Sequence, residues 1–378
     1  MVASRRRHIG RARTQNAVSS SPENLRISET EERRTVPGYF RLVGAFCFAF
    51  LLLASDGLSS SDRLVLNGKQ GPGKGKKVVL IAGDDEYHSE EGLPQLAKIL
   101  ALRHGFTCTV LFSINPQDGT IDPHERRNIP GLEALQTADL LILLTRFRDL
   151  PDDQMKYVVD YVESGRPIIG LRTATHAFEI KTSKTYERYS WDSKIDGWEG
   201  GFGRRILGET WIAHHARHGK ESTRGIIAPG EENNPVLRGI ESGSIWVPTD
   251  VYEVRLPLPA TCHTLVLGRA LDGMHPDDAP VAGKVNEPMM PVAWTNSYRS
   301  TQGKTARVFA TTMGSADDLE NEALRRLLVN ASYWAVGLEK KIPARADVDL
   351  VGDYHPRSFM DKDYTKGMRP EDLSGTRH

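Results

Sequence analysis

"RPIIGLRTATHAF" (Arg166–Phe178) is the stretch on which the fold turns. Pro167 to Leu171 are apolar or glycine, and the chain then becomes polar at once with Arg172, Thr173, Thr175 and His176. A short strand apolar on both faces belongs inside a parallel sheet covered by helices. The same grammar recurs toward the N-terminus. "KVVLIAG" is an apolar run, and "LPQLAKILALRHG" spaces Leu93, Leu96, Ile99 and Leu100 along one helical face before Gly105 ends it. "FTCTVLF" is the next strand and "GLEALQTA" a short helix. "DLLILLT" (Asp139–Thr145) is a buried strand, and "PDDQMKYVVDYVESG" an amphipathic helix closed by Gly165. This alternation predicts an α/β fold: a flavodoxin-like, doubly wound, mostly parallel sheet with helices on both faces.

Beyond the quoted stretch, from about Thr182 to Glu241, periodicity lapses. The insertion "YSWDSKIDGWEGGFGRRILGETWIAHHARHG" is too rich in Trp and His for a linker. Regular structure returns in "SIWVPTDVYEV", "HTLVLGRAL", "MPVAWTNSY" and "ARVFATTM", the last two reading as a hairpin or adjacent strands. "DLENEALRRLLVNASYWAVG" predicts a helix with Leu319, Ala323, Leu324, Leu327, Leu328, Ala331 and Trp334 on one face, capped by Ser315 with Asp318.

At the other end, "LVGAFCFAFLLLA" (Leu42–Ala54) follows an Arg-rich leader. It is shorter than the roughly 18 residues a spanning helix needs and suits a signal-peptide core. The expected organisation is therefore a signal peptide or N-terminal membrane anchor over 1–56, placing the protein in the periplasm or cell envelope. A flexible Gly- and Lys-rich lead-in over 57–76, one domain over 77–339 and a charged, Pro-containing tail over 340–378, lying over the surface or loose, follow. Formal net charge is zero, but residues 1–41 hold nine Arg against four Glu. The acidic remainder has no basic stripe, which argues against nucleic acid. Cys108 and Cys262 lie in strand-like segments and read as free thiols.

In an open parallel sheet, ligands bind outside the carboxyl ends of the strands. The residues after each strand are Asp84, Asp85, Glu86 and His88, then Arg146 and Arg148, then Arg172 and His176, and later Trp294, Asn296, Tyr298 and Ser315. In "HHARH", His214 and His218 are four apart, so on a helix they would share a face and could hold a divalent metal. A sugar-binding or catalytic role and a plain surface helix are the alternatives, and the cofactor stays open. Trp191, Trp198 and Trp211 would stack on a sugar or form a satellite core. No G-x-G-x-x-G follows the first strand and no G-x-S-x-G occurs, which speaks against dinucleotide binding and the usual α/β-hydrolase.

"VVLIAGDDEYHSEEGLPQLAKIL", "PIIGLRTATHAF", "GWEGGFGRRILGETWIAHHARHG" and "MPVAWTNSYRSTQGKTARVFATTMGSADDLENEALRRLLVNASYWAVG" together resemble the ThuA-like, or trehalose-utilisation, family, from about Lys77 to Leu338. That family shares the class I glutamine amidotransferase-like sandwich. Amidotransferases place a nucleophilic Cys at the strand-to-helix elbow with a His-x-Glu downstream. This chain has Arg172 at the elbow and no His-x-Glu after it, so glutamine hydrolysis is excluded. The resemblance implies work on a small-molecule carbohydrate and, as in some relatives, cleavage of 3-keto-glycosides by C2 proton abstraction. His176 or His215 would be the base, with Arg172 and Arg146 as electrophilic stabilisers. Asp84, Glu86, His88, Trp211, Trp294 and Asn296 would bind substrate, with Glu86 and His88 as alternative metal ligands. A non-catalytic sugar-binding or interaction module of the cell envelope is the competing expectation.

Overall fold

The structure, a computed structural model, describes residues 62–375. The expected export segment lies outside the described residues. From the N-terminus the elements are β1 (Arg63–Asn67), β2 (Lys77–Gly83), α1 (Ser89–Leu102), β3 (Thr107–Phe112), β4 (Leu140–Thr145), α2 (Asp152–Glu163) and β5 (Ile168–Leu171). Then come β6 (Ser222–Ile227), β7 (Ile245–Val247), β8 (His263–Leu271), β9 (Met290–Arg299), β10 (Thr305–Thr311) and α3 (Glu322–Ala335).

The ten strands form one sheet in the order β1-β3-β2-β4-β5-β10-β9-β8-β6-β7. The expectation of a mostly parallel, doubly wound sheet needs correction, because the sheet is mixed. Pairings among β3, β2, β4, β5 and β10 are parallel. Those of β1 with β3, and of β10-β9-β8-β6-β7, are antiparallel. The insertion is the physical reason. It supplies β6, and the chain after it adds β7, β8 and β9 by antiparallel pairing rather than through helical crossovers.

Alternation along the strands sends side chains to two cores. Val78, Leu80 and Ala82 of β2 pack with α1 and α3 on one face, while Val79 and Ile81 pack with α2 on the other. Burying each such aliphatic side chain contributes roughly 1.5–3 kcal/mol. Gly170 in β5 is a packing requirement, since a Cβ there would stand 2.6 Å from Leu207 Cδ1 in the turn laid over the strand.

Three local expectations change. Residues 63–67, placed in the flexible lead-in, form edge strand β1 against β3. The α3 cap is Asn321, whose side chain accepts from Leu324 N, while Ser315 lies upstream of a separate 3-10 turn at Asp317–Glu320. The tail is packed: Ile342, Ala346, Val348 and Phe359 are buried.

Candidate active site

Among the described residues, three non-glycine residues adopt a left-handed backbone: His88 (φ 50°), Phe147 (φ 51°) and Arg172 (φ 41°). They follow β2, β4 and β5 closely. Each costs on the order of 1 kcal/mol or more, so strain is concentrated on one rim of the sheet, where side-chain direction outweighs backbone comfort.

Arg172 does not face the crevice. Its side chain is fully buried. Nη1 donates to the backbone oxygens of Asp250 and Thr312, both at 2.7 Å. Nη2 donates to Asp250 Oδ1 at 2.7 Å and to the Tyr87 hydroxyl at 3.2 Å. Its Cζ lies 3.8 Å from the Tyr252 ring centre and 4.6 Å from that of Tyr87. Strand β5 thus delivers an arginine at its tip in order to anchor Asp250.

Burial alone would raise the Asp250 carboxyl, but Arg172, His214 and His218 outweigh it and hold the group well below the usual carboxylate range. An ionised carboxylate only accepts, so both imidazoles donate from Nδ1: His214 to Oδ2 at 2.7 Å and His218 to Oδ1 at 3.0 Å. In a neutral imidazole the lone pair then sits on Nε2, the atom needed by a general base. The two rings are 4.5 Å apart, and His218 Nε2 faces Glu86 Oε1 at 3.6 Å. They lie on an irregular loop rather than the helix that their spacing suggested.

Arg146, a quarter exposed, pairs through Nη1 with Asp85 (3.0 Å) and through Nη2 with Glu86 (3.1 Å). His176 is buried among Phe147, Trp211 and Tyr252. Burial first, then the charges of Arg146 and Arg172, keep it well below the ordinary histidine range and therefore neutral. Trp211 continues the aromatic wall to His214 and Trp191. Beside it, Trp191, Trp211 and Arg255 line a hollow of about 300 Å³. Trp198 packs instead on Tyr189, 4.6 Å between ring centres, in the satellite core.

Several expected site residues are placed elsewhere. Asp84 is a closed strut: it accepts from the Glu86 and Tyr87 amides and from the Thr173 hydroxyl. His215 turns away and donates to Val285 O at 2.8 Å. Trp294 is core, donating to Leu207 O. Asn296 donates to Ile206 O and borders a cavity of about 510 Å³ with Arg204, Arg205 and Arg299. Placing "WTNSY" just after a strand sent Trp294 and Asn296 to the rim, whereas both lie inside β9, whose antiparallel pairing with β10 sets Ala293 opposite Thr311 there. Asp250, Tyr87 and Tyr252 escaped sequence reading. The one signal was an aspartate set in the apolar run "SIWVPTDVYEV".

The sequence profile of the ThuA family, described as trehalose utilisation, matches residues 79–335. The chain belongs to the ThuA family. Among solved structures, a ThuA-like protein of Bacteroides uniformis is 16% identical, covering 71% of this chain and 94% of that one at a TM-score of 0.43. One from Parabacteroides merdae is 15% identical, with coverage of 70% and 91% and a TM-score of 0.41. No curated protein matches the chain. The ThuA match ends at Ala335, and the segment after it also reaches the rim. Phe359 stacks on Tyr87 at 5.9 Å, lies 5.2 Å from His218 and donates its amide to Asp317 at 3.2 Å. This C-terminal strap closes one side of the candidate site.

Proposed function

We propose that the protein acts on carbohydrate and cleaves 3-keto-glycosides, with His214 as the base. The observation that carries this reading is the buried Arg172–Asp250 pair that fixes His214 with Nδ1–H on the carboxylate and Nε2 available. A C3 ketone acidifies the C2 proton. His214 Nε2 takes that proton, and negative charge develops on the C3 oxygen, with Arg146, a quarter exposed on the rim, assigned to stabilise it. The C1–O bond then breaks as C1=C2 forms, and the departing oxygen receives the proton from the imidazolium. Water adds across C1=C2, its oxygen to C1 and a proton to C2. Arg172, sealed behind Asp250, is a positioning residue. The aromatic wall of Trp191 and Trp211 supplies a stacking surface for a sugar. The family description, trehalose utilisation, is consistent with this substrate class.

The test is a chromogenic 3-keto-glycoside beside its unoxidised parent. Release is expected from the keto compound alone, with His214→Ala lowering it about 100- to 10,000-fold. Release from neither compound would favour the non-catalytic sugar-binding module. A metal reading of the same cluster has one observation behind it, that donor atoms of His214, His218 and Asp250 lie within 4.8 Å of one another. Against it stands Arg172, whose guanidinium is already 2.7 Å from Asp250 Oδ1. A chelator-treated sample separates the two. We also propose export through residues 1–56, checked by N-terminal sequencing of the protein recovered from cell fractions.

A further inference from the structure

Away from the His214–His218–Asp250 cluster, Glu90 in the first turn of α1 is anomalous. It is 5% exposed, yet neither carboxylate oxygen has a hydrogen-bond partner. A buried carboxylate without hydrogen bonds is costly, and here only a facing imidazole offsets that cost. Its nearest cationic group is His88, whose Nδ1 stands 3.5 Å from Glu90 Oε1. His88 Nε2 is committed: it donates to the backbone oxygens of Ser358 (3.1 Å) and Asp361 (3.0 Å) in the strap. Glu91 completes the group. Its Oε2 accepts from the Arg357 amide at 2.8 Å, and Arg357 Nε lies 3.5 Å from Oε1.

We propose that His88, Glu90 and Glu91 form a binding site for a divalent first-row cation that ties the C-terminal strap to the N-terminus of α1. Their donor atoms lie within 4.8 Å of one another. Tetrahedral coordination at zinc distances would bring them to about 3.4 Å, a closure well within side-chain adjustment. One imidazole nitrogen with two carboxylates suits Zn²⁺ or Mn²⁺. The surroundings of the ligands are already built, because an imidazole that ligates through one nitrogen commonly donates its other N–H to a backbone carbonyl. Here there are two such carbonyls, both in the strap. Asp250 differs in that both its oxygens accept hydrogen bonds, whereas those of Glu90 accept none and face only the His88 ring; Glu91 would exchange its Arg357 contacts for the ion.

The site is tested with Zn²⁺ alone, on metal-stripped full-length protein, by calorimetric titration. Binding is expected, with Glu90→Gln weakening it by roughly 100-fold or more and His214→Ala leaving it unchanged. Zn²⁺ should also slow proteolytic cleavage of the strap in the unaltered protein. If Glu90→Gln fails to fold, anomalous diffraction from unaltered crystals grown with Zn²⁺ decides. A peak beside Glu90 supports the site. A peak only at His214, no Zn²⁺ uptake, or uptake unaffected by Glu90→Gln overturns it. None of these readouts depends on keto-glycoside turnover.

Discussion

Arg172 carries two costs at once, a left-handed backbone and a fully buried guanidinium, and Asp250 repays them. Removing one partner of such a pair leaves the other charge buried and uncompensated, at about 3–5 kcal/mol. Asp250→Asn should therefore lower stability by that order in chemical denaturation, and Arg172→Met in the same background should cost little more. Equal and additive losses from the two changes would show that the two side chains act independently. His176 gives the pH dependence. Its folded pKa lies well below that of the unfolded chain, so below about pH 6.5 the unfolded state binds a proton that the folded state refuses. The His176 contribution should accordingly weaken as pH drops below that value, so His176→Phe should lose less melting temperature between pH 7 and 5, or gain more, than the unaltered protein. Ring signals of His176 that titrate in this range by NMR would contradict the assignment.

At the scale of elements, the parallel strands were legible because burial on both faces leaves an unbroken apolar run, as "LLILLT" and "KVVLIAG" show. The antiparallel wing was not. A strand beside a covered parallel sheet is as apolar as its neighbours, so β9 gives no sign of its direction. The histidine loop was legible by composition but not by shape, since its partners are Asp250 and Tyr252, distant in sequence. Rim residues next to β2, β4 and β5 were found because the strand-end rule depends only on order along the chain. The strap was unreadable for a different reason: a polar, Pro-containing segment packs through isolated anchors rather than a periodic face. Phe359 is the anchor nearest the site, and Phe359→Ala should cost about 3–5 kcal/mol in denaturant titrations. Phe359→Leu, which keeps most of the apolar volume, should cost less. Near-equal losses would mean that Phe359 does not act by packing against Tyr87 and His218.

On the scale of the whole molecule, the crevice lies where one sheet changes character. The loops after β2 and β4 flank the point at which strand order reverses, and β10 is shared between the parallel strands and the antiparallel wing. That sharing binds the two halves mechanically. β10 pairs along its length with β9 while pairing with β5 on its other side. One face of the core also runs without a break from Leu80 and Leu96 to Val266 and Val292. Every residue assigned to the site lies within the compact unit that begins at Gly57. A protein starting at Gly57 should therefore unfold in one calorimetric transition, with its van't Hoff and calorimetric enthalpies in agreement. Its keto-glycoside release should match that of the full chain. Two separated transitions would show that the antiparallel wing melts by itself. In that case the ion pair between Arg172, next to β5, and Asp250, on the wing side, would break first, and activity would disappear in the earlier transition.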